Sequence, residues 1–489
     1  MTSPHNRTTR TTVVLAAGHG KRMRSTLPKV LHPLLGRTLL GHVLTAAEPL
    51  AAERTLVVVG VGADQVSAHL AEVAPKSVPV VQSEQLGTGH AVRTALAALP
   101  ESELTGTVLV LNGDLPLLRP ETLTELVERH EASGAAATLL TAAVPDPTGL
   151  GRIRRGPRGD FAGIVEERDA SAAQRAIQEI NVGCYAFDAA ALQTVLGQLS
   201  RDNAQREEYL TDAAGILLER GASVAVHQVA DPIEALGCND RAELAAARAQ
   251  LRDRINREWL RAGVTIIDPA TTWLDVTVTL GTDAVIEPHC QLRGATAVGE
   301  RATVGPESTL TDCLVAEDAV VVRTHAVGAE VGPGAQVGPF SYLRPGARLA
   351  ARAKVGAFVE LKQAELGEGA KVPHLSYVGD ATIGPAANIG AGTIFVNYDG
   401  VHKHHTEVGV AAFVGSNSSL VAPVSVEDGA YVAAGSVVTL GVEPGALAIA
   451  RGQQRNVDGW VLRRRPDTAS AEAARKAAPP ATDQVAGES

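Results

Sequence analysis

Residues 331–361 read VGPGAQVGPFSYLRPGARLAARAKVGAFVEL, with aliphatic side chains at Val331, Val337, Leu343, Leu349, Val355 and Leu361, every sixth position. The same step runs through Leu280, Ile286, Leu292, Val298, Val304 and Leu310 upstream. Downstream it recurs at Leu366, Val372 and Val378, at Ile383 and Ile389, and at Val408, Val414, Leu420, Val426, Val432 and Val438. Gly often follows the aliphatic residue, as in Val331-Gly332, Val355-Gly356, Ile389-Gly390 and Val414-Gly415. A chain that presents an aliphatic side chain every six residues stacks as a parallel β-helix, with one inward side chain per flat face. Accidental spacing in some other β-rich domain does not hold one register through so many matches.

The repeat also accounts for the composition. The 489-residue chain is 45 % hydrophobic but only 3 % aromatic, with 48 Gly, because a narrow coil has room for Val, Leu or Ile and little for rings. The length suggests two or three domains. Lys plus Arg number 44 against 54 Asp plus Glu, a net charge of −10, which argues against nucleic acid as the main partner. Cys184, Cys238, Cys290 and Cys313 are far apart with no CxxC spacing, so neither a zinc ribbon nor a disulfide framework is expected and a reducing compartment fits. The start, MTSPHNRTTRTT, is polar. The first apolar run, Val13 to Ala17, is too short for a signal-peptide core or a membrane span, which predicts a cytoplasmic protein.

Upstream of the repeat the period changes. Across residues 11–239, short apolar runs at 12–16, 55–60, 78–82 and 107–112 alternate with amphipathic stretches at 39–52, 63–73, 88–99 and 120–133. This alternation predicts a mostly parallel sheet with helices on both faces and ligands beyond the carboxyl ends of its strands. Residues 240–263 contain no breaker, and Leu244, Leu251, Ile255 and Trp259 recur at helical spacing, so one long helix is the linker. The repeat domain then spans 264–460. Residues 1–10 and the Ala-, Pro- and charge-rich tail, 461–489, are expected to be disordered.

The first strand runs into Leu15-Ala16-Ala17-Gly18-His19-Gly20-Lys21-Arg22-Met23, which has neither the GxGxxG nor the Walker spacing. Small residues on a turn between strand and helix nevertheless let backbone N–H groups approach phosphate, and Arg22 and Lys29 can supply charge. A tight structural turn is the alternative. Asn112-Gly113-Asp114-Leu115-Pro116 ends the apolar run 108–111, where a carboxylate is awkward unless it meets water or a metal. Mg²⁺ takes one or two carboxylate or amide oxygens plus substrate phosphates, which suits Asp114, although capping of the next turn is its simpler role. In QSEQLGTG, Gln82 to Gly89, a strand is followed by a Gly/Thr loop whose amides can read a base edge.

The β-helix interrupts its own rhythm at Arg344-Pro345-Gly346, Glu360-Leu361-Lys362, His374-Leu375-Ser376-Tyr377, Asn388 and Asn397-Tyr398-Asp399. Polar residues clustered over about three coils point to a site, since a coil takes about three hexapeptides. His374 has the side chain suited to proton transfer near neutral pH, although a lone His on a strand is commonly a satisfied structural residue.

In order, LAAGHGKRM, LPKVLH, QSEQLGTGHA, NGDLPLL, GLGRI, GIVEERDA, EINVG, EEYLTD and GCND, followed by the hexapeptide domain, resemble a known family over residues 11–460. It is the family of bacterial bifunctional N-acetylglucosamine-1-phosphate uridyltransferases and glucosamine-1-phosphate acetyltransferases. The resemblance implies an α/β protein with a Rossmann-like nucleotidyltransferase domain, a linker helix and a C-terminal left-handed parallel β-helix. It implies acetyl transfer from acetyl-CoA to glucosamine-1-phosphate, then uridylyl transfer from UTP to N-acetylglucosamine-1-phosphate with release of pyrophosphate. The product is UDP-N-acetylglucosamine.

By the same resemblance, Leu15, Ala16, Ala17, Gly18, Gln82, Gly87 and Thr88 contact the uridine, with Asn112 and Gly113 also in the nucleotide site. Arg22 and Lys29 meet the UTP phosphates, Gly151, Glu166 and Asn181 bind the amino sugar, and Asp114 with Asn239 holds Mg²⁺. His374 is the acetyl-transfer base. Arg344, Lys362, Tyr377 and Asn388 bind glucosamine-1-phosphate, and Ala391, Asn397, Tyr398, Ser416, Ala434 and Arg451 line the acetyl-CoA site. Glu360 is expected to orient the His374 imidazole. Lys21 stands where the family usually has Thr, and Asn112 where it often has an aromatic residue; neither removes a ligand.

Broad apolar faces that one solenoid cannot cover predict self-association, and the resemblance implies a homotrimer with the acetyl site between subunits. Two other readings remain. In one, the β-helix of a sugar nucleotidyltransferase only oligomerises or regulates, against which stand His374, Arg344, Lys362 and Asn397-Tyr398. In the other, the chain is a non-catalytic regulatory subunit, against which stand Gly18, Lys29, Asp114 and Asn239 together.

Overall fold

The structure, a computed structural model, describes residues 9–477; the expectation of disorder for 1–8 and 478–489 lies outside the described residues. Nine strands form the N-terminal sheet: β1 (Arg10–Ala16), β2 (Arg54–Val59), β3 (Val78–Val81), β4 (Thr107–Asn112), β5 (Ala137–Ala143), β6 (Arg152–Arg155), β7 (Phe161–Val165), β8 (Glu179–Asp188) and β9 (Val224–Gln228). Their order is β9-β5-β8-β4-β1-β2-β3, with the β6-β7 hairpin attached to β8. β1 pairs in parallel with β2 and β4, β2 with β3, and β9 with β5.

The sheet is mostly parallel, as expected, and its exception inside the main strand order is β8, which runs antiparallel between β4 and β5. Strand direction leaves no mark in an apolar run, so alternation alone could not reveal it. β1 and β4 are neighbours whose successors lie on opposite sides, and the crevice beyond their carboxyl ends is the switch point of the sheet. Leu15 pairs with Asn112 there, so the two motif-bearing loops leave the sheet side by side.

The helix Arg241–Arg261 begins at Asp240, whose carboxylate accepts the N–H groups of Ala242 and Glu243. Its buried face, Leu244, Ala247, Leu251 and Ile255, shares one core with Met23, Leu34, Leu39 and Leu117 of the nucleotide domain and with Val264, Ile266 and Leu274 of the first coil. The linker is therefore a packed wedge between the domains and not a free spacer.

Beyond it the strands stack in parallel. Val285 pairs with Thr303, 18 residues on, as three hexapeptides per coil require. One face is an 11-stranded sheet, and a 17-stranded sheet wraps the rest of the coil. Ile286, Val304, Val321, Val337, Val355, Val372, Ile389, Val414 and Val432 all point into the coil and are buried. Ala284, Ala302, Ala319, Ala335, Ala353 and Ala370 repeat at a buried corner where only a small side chain fits. A Cβ at Gly281 would lie 2.6 Å from the backbone nitrogen of Glu300 in the next coil, which explains why Gly follows the aliphatic residue so often.

One coil is longer. Asn388 pairs with Phe413, 25 residues on, and the added length is the loop running from Asn397 to His405. The tail expected to be disordered from residue 461 contains two short helices, Trp460–Arg464 and Ala469–Ala477. The Ala, Arg, Glu and Lys that deny it a broad apolar face are also strong helix formers, and Ala471 is buried. Among the described residues, no helix is long and apolar enough to cross a membrane. All four cysteines are free and buried.

Candidate active sites

At the carboxyl end of β1, the Gly113 N–H donates to the Leu15 carbonyl (2.9 Å), which holds the end of the strand, where the loop begins, against the 113–114 turn. Gly20 has φ 56°, and a Cβ there would lie 2.6 Å from Lys29 Cβ, so the loop rests on the lysine stem. The Lys29 ammonium pairs with the Asp114 carboxylate and donates to the Asn239 side-chain oxygen at 3.1 Å. Lys29 is 85 residues from Asp114 and 210 from Asn239, and only the sheet edge brings them together. The loops are tied as well: Cys238 N–H donates to the Asp114 carbonyl (3.1 Å), and Glu243 accepts the Asn239 N–H (2.7 Å). Arg22 and Lys21 are exposed on the adjoining 3-10 turn, Lys21–Met23. Asn112 lies against Gly183, φ 85°, where any Cβ would collide with its amide.

Gln82 is buried beyond β3. Its amide donates to the Gly87 carbonyl (3.3 Å) and lies 2.9 Å from His90 Nδ1, so it braces the loop expected to meet the base. Gly87 and Thr88 open the helix Thr88–Leu96. Gly151, Glu166 and Asn181 also meet: the Asn181 N–H donates to the Gly151 carbonyl (2.9 Å), and a Cβ at Gly151 would lie 3.3 Å from the Glu166 carboxylate. Asn181 Nδ2 donates to the Tyr185 hydroxyl at 2.7 Å. Burial pushes the Glu166 carboxyl above its ordinary value, against the lowering effect of a hydrogen bond from Thr211 (3.2 Å). Thr211 was missed in the sequence because a Thr in EEYLTD carries no mark of the acid it meets 45 residues away.

In the β-helix, strand register explains the second group. Lys371 pairs with Asn388, Ile389 with Val414, and Val414 with Val432, so His374, Ala391, Ser416 and Ala434 occupy equivalent corners of successive coils. Backbone bonds follow the same column: Gly392 donates to the His374 carbonyl (3.2 Å), Asn417 to Ala391 (2.8 Å) and Gly435 to Ser416 (2.8 Å). Arg451 is exposed just beyond the last strand of this face, Leu447–Ala448. On the neighbouring face, Lys362 Nζ lies 3.0 and 3.2 Å from the two Asp380 oxygens, and Asn397 Nδ2 donates to the same carboxylate. Tyr377 OH is 3.5 Å from Asn397 Nδ2, and Tyr398 is exposed at the start of the long loop.

Burial alone would raise the Asp380 carboxyl, but the bonds from Lys362 and Asn397 hold it below its ordinary value. Asp380 went unnoticed in the sequence because outward carboxylates are common on such coils. Asn388 belongs to the His374 face and not to the face of Lys362 and Tyr377. The expected Glu360–His374 contact is replaced by another: Glu360 Oε1 accepts from Arg344 at 3.0 Å, and among the described residues no hydrogen bond joins Glu360 to His374. Glu360 pairs in register with Tyr342 and Tyr377 at the start of a strand on the face of Lys362, whereas His374 ends a strand of the other face.

Comparison with known proteins matches residues 12–265 to the family described as the MobA-like NTP transferase domain. The chain is 56 % identical over 463 residues to the bifunctional protein GlmU of Streptomyces avermitilis, covering 94 % of this chain and 96 % of that one. It is 55 % identical to the bifunctional protein GlmU of Thermobifida fusca and 50 % to that of Corynebacterium aurimucosum, each over 95 % of this chain and 96 % of the relative. A solved structure of UDP-glucose pyrophosphorylase complexed with UDP-glucose aligns at 17 % identity and a TM-score of 0.42, over 50 % of this chain and 99 % of that one.

Proposed function

The chain belongs to the family of bifunctional GlmU proteins, and on that premise we propose how its two sites share the synthesis of UDP-N-acetylglucosamine. The enzyme acetylates glucosamine-1-phosphate from acetyl-CoA and transfers uridylyl from UTP to N-acetylglucosamine-1-phosphate, with pyrophosphate leaving. The observation that carries the assignment of sites is the meeting of Lys29, Asp114 and Asn239 at the switch point of the sheet.

In the N-terminal site, an oxygen of the sugar 1-phosphate attacks the α-phosphorus of UTP in line with the departing pyrophosphate. That oxygen is already anionic, so the chain need supply no base. Leu15 to Gly18, Gln82, Gly87, Thr88, Asn112 and Gly113 position the nucleoside, and Gly151, Glu166 and Asn181 hold the amino sugar so that its phosphate faces the α-phosphorus. Arg22 and Lys29 neutralise phosphate charge. Asp114 and Asn239 would hold Mg²⁺, and the fit is supported by their oxygens already sharing one cation, the Lys29 ammonium. When bound, the ion adds charge neutralisation at the phosphates.

In the β-helix, His374 accepts the proton that the substrate amine loses as its nitrogen attacks the thioester carbonyl of acetyl-CoA, and CoA leaves. Arg344 and Lys362 bind the phosphate of glucosamine-1-phosphate, with Tyr377 and Asn388 on the sugar. Ala391, Ser416, Ala434 and Arg451 form a column along which extended acetyl-CoA lies, with Asn397 and Tyr398 beside it. The split of Asn388 and Lys362 between two faces supports a site completed by a second copy, in a homotrimer. Four buried free thiols support a reducing, cytoplasmic setting.

Glucosamine-1-phosphate, acetyl-CoA, UTP and Mg²⁺ are supplied together, and free CoA and pyrophosphate are followed separately. Both are expected. Pyrophosphate alone, released only when acetylated sugar is provided, would leave the β-helix without catalysis, and neither signal would overturn the whole reading.

A further inference from the structure

The loop that meets the base and the pocket that meets the sugar are joined by one short peptide, Glu207 to Thr211, which belongs to neither. Its backbone clasps the base loop from both sides. Glu208 N–H donates to the Leu86 carbonyl (2.7 Å), Gly89 N–H donates to the Glu208 carbonyl (2.8 Å), and Leu210 N–H donates to the Thr88 hydroxyl (3.0 Å). The approach is close enough that a Cβ at Gly87 would lie 2.5 Å from the Glu208 oxygen and 2.7 Å from its nitrogen, and Gly87 has φ 116°. At the other end of the peptide, the Thr211 hydroxyl holds the half-buried Glu166 carboxylate at 3.2 Å.

One ion pair pins the peptide in place. Both Glu208 carboxylate oxygens lie 2.8 Å from an Arg93 nitrogen, and the Glu208 side chain is only 10 % exposed. Arg93 is on the helix Thr88–Leu96, whose first turn is the base loop itself. The pair thus closes a triangle of base loop, helix and sugar-pocket peptide. A carboxylate this buried needs its partner, because removing the guanidinium leaves an uncompensated charge that the peptide must move to hydrate.

We propose that Arg93 and Glu208 are positioning residues that couple the uridine and amino-sugar subsites, so that loosening the pair weakens both substrates together. The inference rests on the nucleotide and sugar assignments above. Neither residue touches a reacting atom, so the chemical step keeps its rate once both substrates are bound.

The test uses the full-length enzyme with Mg²⁺, UTP and N-acetylglucosamine-1-phosphate, measuring pyrophosphate release. Glu208→Gln keeps the size of the side chain and removes its charge; Arg93→Ala removes the partner. Each is expected to raise KM for both substrates by about tenfold while kcat changes by less than about twofold. The double variant is expected to be no worse than the poorer single one, and Arg93→Lys to recover part of the loss. Acetyl transfer by the same preparations, read as CoA release, reports that the chain is folded. Unchanged KM values, a rise confined to one substrate, or additive effects in the double variant would overturn the coupling. Absence of pyrophosphate release by the unaltered enzyme would instead overturn the assignment of the N-terminal site.

Discussion

The two catalytic regions assemble their residues in opposite ways. In the nucleotide domain, Lys29, Asp114 and Asn239 come from loops far apart in sequence and meet only because β1 and β4 are neighbours in the sheet. In the β-helix, His374, Ala391, Ser416 and Ala434 meet because each is one coil from the next, so the column follows from counting. A convergent site depends on every connection that leads to it. A stacked site depends on register, and the longer coil from Asn388 to Phe413 shows that register survives an inserted loop when the strands on either side still pair.

If the regions are separate machines, each can be silenced alone. Asp114→Ala is expected to reduce pyrophosphate release to background, since it removes both the proposed metal ligand and the partner of Lys29, while CoA release persists. Unchanged release with Mg²⁺ present would break the assignment. His374→Ala is expected to slow CoA release by about 10² to 10⁴-fold with uridylyl transfer intact; loss of both activities would show that the corner column also supports the fold.

The smallest effect sharpens the contrast between function and stability. Burial raises the Glu166 carboxyl, so as pH climbs above its ordinary value of 4.5 the unfolded chain releases a proton that the folded chain retains, and stability falls. Glu166→Gln is therefore expected to raise Tm by about 2 °C at pH 8 and to leave it unchanged at pH 4. An equal change at both pH values, seen by calorimetry, would mean that packing and not charge governs the site.

Much of this is legible in the sequence alone. The step of six announced the β-helix, and the strand that ends at Asn112 announced a carboxylate, Asp114, at the open end of a sheet. The antiparallel β8, the two helices of the tail and the Arg344–Glu360 pair were not. Each turns on direction, on local helix preference or on which of several nearby charges a carboxylate finds, and none of these leaves a period in the sequence. Glu360 meets Arg344 and not His374 because the Arg lies one coil away on the same face, whereas the His ends a strand of the other face.

The sequence by itself determined that the chain has a nucleotide-binding α/β domain, a helix and a hexapeptide solenoid, because burial repeats at a spacing set by backbone geometry. Only the tertiary structure decided which oxygens share the Lys29 ammonium, that the linker helix is wedged into both domains, and that Arg93 pairs with Glu208. Those facts are distances between residues tens to hundreds of positions apart. Periodicity fixes what each segment buries, but partners across the fold are chosen by sheet order and packing.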